Sequence, residues 1–342
     1  MPTEISGFNR IHFVVFGTTF LCILLGLFAS AWMSRWEPLL VLGLMLLLGL
    51  PHGATDRGLF FSLRNRISSF RSLNFYAAYL GVIGVYALLW YLLPVIAFLL
   101  FLVLSVYHFG QSNWVKTAYR SARTARLHYL LWGAGALLTP ILLHSDQALA
   151  ISGSMLRLPL SLSVSPYAAW AAVALAVVNV GFIAYLYGRK VISGSRAGRE
   201  LLAYGLLVAL FLTNSLLLGF TIYFVVWHSL ASAMDQWRFF RTQRDRDRLV
   251  RPLLTDILAV VTGAAIFCAF AWWYPTNGPA LTPALMGYVF LAISLLTLPH
   301  MLLVELLYHY WQPPRAEPPE PNQRSFNSRG RAANTARAVS FH

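Results

Sequence analysis

Charge is scarce in this chain, and acid is scarcer than base. Only 11% of residues are charged, with 12 Asp+Glu against 26 Lys+Arg. Soluble domains carry about a quarter charged residues, so the shortage excludes an ordinary water-soluble fold. Cysteine is nearly missing too. Cys22 and Cys268 are the only two, and both sit inside apolar runs. They read as buried free thiols, which excludes a disulfide framework and a CxxC metal site. No nucleophile–base pair stands at a recognisable spacing. Deep carboxylates, which an ion-coupled transporter needs, are few. On helices running outward the one candidate is Asp256.

What the chain has instead is hydrocarbon. Hydrophobic residues make up 58% of its 342 residues, and mean hydropathy is +0.62. Apolar runs near the roughly 20 residues needed to cross a bilayer recur throughout. The pattern predicts an all-α, polytopic integral membrane bundle of about ten transmembrane helices. They are placed at 11–33, 38–52, 74–92, 94–112, 127–145, 166–188, 200–217, 219–237, 253–274 and 283–311. One helical membrane domain thus fills 1–311. The tail, 312–342, is rich in Pro, Arg, Ser and Asn and reads as disordered. The first apolar run is longer than a signal-peptide core and lacks a small-residue cleavage site, so it counts as a span.

The basic residues fix an orientation. They cluster after the second, fourth, sixth and eighth helices (Arg57 to Arg71, Lys116 to Arg126, Arg189 to Arg199, Arg238 to Arg251), in the tail and at Arg10. Only Arg35 and Arg157 fall on the other side. By the positive-inside rule both termini are cytoplasmic, and the chain is a multi-pass protein of the cell's inner (plasma) membrane. Net charge here is a topology signal, and nucleic acid is not an expected partner.

Four of the apolar segments carry one imidazole near one end. The sequences are Pro51-His52-Gly53, Tyr107-His108-Phe109, Trp227-His228-Ser229 and Pro299-His300-Met301. In the ten-helix reading all four helices run toward the cytoplasm, with the histidines at similar depth. A lone intramembrane histidine is commonly a polar residue bonded to a neighbouring helix. Four at one level favour a single buried site. His12, His128, His144 and His309 fall near helix ends, where the interface solvates them, and His342 lies in the tail. Those five read as structural or incidental.

An imidazole cluster suits iron, copper or zinc, with geometry choosing among them. No thiolate is at hand to favour zinc or an iron–sulfur centre. An all-histidine shell is neutral and leaves Fe(2+) its full charge and open positions for dioxygen. Bis-histidine ligation of haem is a second reading. Ligating histidines usually donate their other nitrogen to a carboxylate or carbonyl. Asp56 stands four residues after His52, and Asp235 seven after His228, so each shares its histidine's face on a continuous helix. Asp56 as a cap of the break at Gly53, and Asp235 as a partner of Arg238, are the plainer readings. Glu305 points away from His300 and reads as an interfacial ion-pair partner. Tyr107, Phe109, Tyr223, Phe224 and Trp227 are candidates to line an apolar tunnel for a rigid polyene. Aromatics are also common near membrane interfaces without such a role.

With PHGATD at 51–56, YHFG at 107–110, WHS at 227–229 and PHMLLVE at 299–305, the chain resembles the Brp/Blh family of bacterial and archaeal carotene-cleaving membrane proteins. The resemblance implies a β-carotene 15,15'-dioxygenase that uses Fe(2+) and O2 to split the central double bond into two molecules of all-trans-retinal. It implies β-carotene, O2 and membrane lipid as partners, with a retinal-binding rhodopsin downstream. The family's third motif usually reads Trp-His-Ser-x-Arg-His, and here Ala231 and Ser232 stand at its last two positions. Either His52, His108, His228 and His300 form the shell, or a ligand has been lost. In the second case the chain is a divergent, non-cleaving carotenoid binder.

The charge asymmetry is testable by reporter fusions. Fusions at Trp36 and Asn277 are expected to report periplasm, and fusions at Arg64 and Arg244 cytoplasm. A periplasmic signal at Arg244 breaks the common direction of the four helices.

Overall fold

The computed structural model describes residues 3–45, 53, 55–63, 72–158, 165–241, 258, 262 and 282–310. Among them there is helix and turn and no strand. The helices are α1 (Thr3–Phe28), α2 (Ser30–Leu44), α3 (Asp56–Leu63), α4 (Ser72–Leu92), α5 (Pro94–Trp114) and α6 (Ala122–Leu143). They continue with α7 (Ser145–Leu156), α8 (Ser165–Gly188), α9 (Gly194–Thr213), α10 (Leu216–Arg241) and α11 (Pro283–Tyr310).

Six of these are long and apolar enough to cross a bilayer: α4, α5, α6, α8, α10 and α11. The expected count of about ten therefore exceeds what the described residues carry. In α1 the apolar stretch among the described residues is His12–Phe28, shorter than a span, and α2 starts at Ser30, with Pro38 inside it. Helix α9 begins with Arg196, Arg199 and Glu200 in its first two turns. The stretch 253–274, the tail 312–342 and His52 lie outside the described residues. A short helix, α7, was not expected; it follows α6 across His144 alone. Large apolar side chains such as Phe28, Val85, Val177 and Leu212 point outward at 84%, 72%, 65% and 62% exposure. A surface of that kind is unsuited to water and suited to acyl chains.

Local chemistry sets the breaks. Pro94 opens α5 one residue after α4 ends, where its missing N–H costs nothing. Ser121, Ser193 and Ser215 cap α6, α9 and α10 by accepting from Thr124, Arg196 and Leu218 amides. Helix α10 is not α-helical throughout. Tyr223–Ser229 is a π-helical stretch, of the sort that re-aims side chains and recurs at functional sites.

The closest packing joins α5 to α6. A methyl group added at Gly133 would land on the Val106 carbonyl oxygen and 3.0 Å from the Gly110 nitrogen, and one at Gly110 would land on Tyr129 backbone. Small residues at such crossings let backbones meet, which drives helix association where lipid competes with any apolar contact. The apolar interior forms two clusters. One runs through α1, α2, α4 to α10 and the first half of α11. The other joins α3, the start of α4, and the ends of α10 and α11, through Leu59, Leu63, Phe239 and Leu307.

Gly133→Ala is expected to destabilise the protein by about 1–3 kcal/mol or more through overpacking. Gly205→Ala on α9, where a methyl meets nothing within 4 Å, is expected to be neutral or mildly stabilising. Thermal unfolding in detergent compares the two.

Candidate imidazole site

His108, His228 and His300 sit on α5, α10 and α11, at 3%, 3% and 6% exposure. On α10 and α11 they fall between the parts belonging to the two apolar clusters, so the imidazoles occupy the seam between them. His108 stands in the middle. Its ring centre lies 4.9 Å from that of His228 and 5.7 Å from that of His300, with rings inclined at 71° and 85°.

Two of the three imidazoles have their tautomers set by neighbours. The Ser112 hydroxyl donates its one proton to the Phe109 carbonyl at 3.0 Å. It therefore accepts from His228 Nδ1–H at 3.1 Å, because a hydroxyl carries one donor and two acceptor sites. His300 Nδ1 lies 2.7 Å from Asp56 Oδ1, and an ionised carboxylate only accepts. Both rings are thus placed to donate from Nδ1, which in a neutral ring leaves Nε2 as the basic nitrogen. This is the pattern of a metal-ligating histidine backed by an outer hydrogen-bond acceptor.

Asp56 is buried at 3% exposure in the first turn of α3, where the helix dipole favours a carboxylate. Its second oxygen accepts from the Tyr79 hydroxyl at 3.0 Å. Asp235 is placed differently. It pairs with Lys116 at 2.6 Å and with Arg238 at 3.6 Å. Glu305 accepts from Gln111 at 2.6 Å. Beside the imidazoles, Thr55 bonds Gln236, while Ser229 and Ser232 are buried at 2% and 4% exposure.

The aromatic candidates divide into two sets. Phe109 and Phe224 pack on His228, with ring centres at 4.7 and 5.7 Å, and Tyr223 packs on Phe109 at 5.6 Å. Phe220, which sequence reasoning missed, stacks on Phe224 and meets Phe290 of α11. Trp227 turns instead to α1, donating to Thr19 at 2.9 Å and stacking on Phe16. Tyr107 turns to Tyr129 of α6.

His128 corrects an expectation. It is 1% exposed rather than solvated at an interface. The segment 115–121 folds back over it, pinned where Arg196 donates to Thr117 at 2.8 Å and lies over the Trp114 ring. Burial pushes the Tyr119 phenol up, which keeps it a donor toward His128 Nδ1 at 2.6 Å.

Two imidazoles bound to one ion at about 2.1 Å place their ring centres roughly 4.6–6.5 Å apart, and the two observed separations fall in that range. The donor chemistry therefore fits an ion, with neutral nitrogens supported from behind. Among the described residues, no three His, Cys, Asp or Glu side chains converge closely enough to hold one by themselves. His52 is not among those residues.

Fold and site together define a class: a helical, membrane-type bundle with imidazoles buried at the junction of its two cores. A family model described as beta-carotene 15,15'-dioxygenase matches residues 43–308, and the chain belongs to that family. A beta-carotene 15,15'-dioxygenase from an uncultured marine bacterium, 66A03, is 22% identical over 281 residues, covering 78% of this chain and 92% of that protein. No solved structure matches the chain.

Ser112→Ala removes the acceptor behind His228 and leaves a buried N–H without it. A loss of about 1–3 kcal/mol is expected, against little change for Ser154→Ala, whose exposed hydroxyl bonds only its own helix. Denaturant titration in detergent gives both values.

Proposed function

We propose that this chain cleaves the central double bond of β-carotene with Fe(2+) and O2, giving two molecules of retinal. The observation that carries the reading is the meeting of His108, His228 and His300 from three helices, two of them presenting Nε2, in a member of this family. The reaction balances without outside electrons or protons. The C=C bond breaks, and each of its carbons takes one oxygen atom of O2.

His108, His228 and His300, with His52, would hold the iron. When bound, Fe(2+) supplies the one-electron chemistry that lets ground-state O2 react with a closed-shell polyene. The protein's own residues supply the rest. Asp56 and Ser112 fix the rings of His300 and His228, so that little rearrangement accompanies binding. Phe109, Phe224 and Phe220 give a rigid, apolar wall that holds a polyene without polar competition and keeps water out. No acid–base residue is asked for. Retinal leaves as an apolar aldehyde into lipid, for a retinal-binding protein such as a rhodopsin.

The geometry counts against a haem held between His108 and either His228 or His300. Axial histidines on opposite faces of one haem stand with ring centres roughly 6.5 Å apart or more. The separations from His108 are 4.9 and 5.7 Å, too short for a porphyrin between the rings.

Expression in carotene-accumulating bacteria tests the reading, by loss of colour and by retinal on chromatography. Purified protein is expected to hold about one iron per chain, since the site has one set of ligands. His108→Ala, His228→Ala and His300→Ala are each expected to lower iron content and abolish retinal. With His300 in the shell, Ser232→His is expected to bring no gain and to cost about 1–3 kcal/mol from overpacking. A large gain in retinal from Ser232→His would mark the chain as a relative weakened by a lost ligand. Full iron retention in two of the three alanine variants would remove the shared site.

A further inference from the structure

We infer that Tyr79 is a positioning residue of the iron site, acting through Asp56 on His300. The inference rests on the reading of the site as an iron centre. It assigns a role to a tyrosine that no spacing in the sequence connects to any histidine.

The chain of contacts is continuous, running from the half-buried Tyr79 to the buried Asp56 and His300. Tyr79 on α4 donates to Asp56 Oδ2 at 3.0 Å, and Asp56 Oδ1 accepts from His300 Nδ1 at 2.7 Å. The carboxylate and imidazole are 3% and 6% exposed. One carboxylate with two acceptor oxygens thus ties three helices, α3, α4 and α11. Each donor takes a different oxygen, so Tyr79 holds the plane of the carboxylate while Oδ1 stays turned to the imidazole.

Without the phenol, Asp56 can rotate about its side-chain bonds and share both oxygens with His300 or with water. With it, the ring of His300 has one orientation and one tautomer. The Tyr79 ring is itself braced, packing on Phe75 with ring centres at 5.4 Å. Its hydroxyl therefore reports on positioning rather than on core volume. Glu305, the carboxylate on α11 itself, accepts from Gln111 at 2.6 Å.

His300 needs this support more than its neighbours do. It follows Pro299 inside α11, where the proline removes a backbone bond and loosens the turn. A ligand on a loosened turn is held by what lies behind it.

The test uses the full chain, purified in detergent, as wild type, Tyr79→Phe and Asp56→Asn. Ring nitrogen NMR of histidine-labelled, metal-free protein, with His300→Gln to assign the signal, reads the tautomer directly. Wild type is expected to show His300 protonated on Nδ1 and bare on Nε2. Asp56→Asn is expected to shift that signal, and Tyr79→Phe to broaden or move it while leaving the melting temperature nearly unchanged. Anaerobic titration with Fe(2+) is expected to show affinity weakened about 10-fold in Tyr79→Phe and toward 100-fold in Asp56→Asn, the range for lost outer partners.

The inference is overturned if Tyr79→Phe leaves the His300 signal in place and iron affinity within twofold of wild type. It is overturned equally if His300 is protonated on both nitrogens. Should wild type bind no iron, the iron reading fails, and the NMR comparison still decides whether Tyr79 positions His300.

Discussion

Everything in the site depends on how closely α5 can approach α6. The contact is backbone on backbone: the Gly133 α-carbon faces the Val106 carbonyl, and Gly110 faces Tyr129. Val106 and Gly110 bracket His108 on α5 by two residues each way. Since side chains project from a helix at fixed angles, seating these two positions on α6 determines which way His108 points. It points away from the crossing, toward α10 and α11, where His228 and His300 lie. In hydrocarbon the contact gains little from apolar burial as such, so its strength comes from dispersion at short range and from the absence of side chains in the way. A larger residue would move the central imidazole along with the helix that carries it.

The second constraint is that polar groups inside a bilayer must find partners inside the protein. The bundle meets it economically. Many hydroxyls and amides bond back to their own helix, as Thr19 does to Val15, Asn179 to Leu175 and Thr297 to Ile293. Those near the imidazoles also reach across helices. Tyr79 and Asp56 bond between helices, and Ser112, besides donating to its own helix, accepts across to His228. Polar groups that reach between helices in this way mark where the protein holds geometry at some cost in stability. The separate cluster around His128, Tyr119 and Arg196 is equally buried but clamps the segment 115–121 onto α6. It lies apart from the imidazole seam and has a structural task.

Much of this was legible in the sequence because membrane insertion leaves strong signatures. Runs of apolar residues gave the spans α4, α5, α6, α8, α10 and α11 nearly where the structure places them, and the sequence order Pro-His or aromatic-His singled out His108, His228 and His300. Span number was less legible, because α1 and α9 mix apolar length with polar first turns, and a sliding hydrophobic reading does not weigh a helix's packing against its charge. Asp56 was flagged for the histidine four residues before it, while the structure shows it holding one 244 residues away. Spacing along one helix sees only neighbours on that helix. Tyr79 carried no signal of any kind, being one tyrosine among 16, and Ser112 carried a faint one, four residues after His108 on the same face. His128 was misread for a definite reason. Position near a helix end suggested solvent, and the fold-back of the preceding segment, which no periodicity reports, removed it.

The change at Ser232 takes on a different meaning within this geometry. An i, i+4 histidine pair places two ligands on one helix, and its rigidity comes from the helix itself. In this chain α10 offers His228 alone, and Ser232 is a small, buried residue one turn on. The π-helical stretch ending at Ser229 alters the turn that joins the two positions. Support for His300 comes instead from outside α10, through Asp56 and Tyr79 on two other helices. Imidazoles brought together from separate helices are held by interhelical hydrogen bonds rather than by one helix's pitch, and are therefore more sensitive to bundle packing. That shifts the burden of rigidity onto contacts such as Gly110 with Tyr129, and it makes the integrity of the α5–α6 crossing and the orientation of His300 parts of a single mechanical requirement.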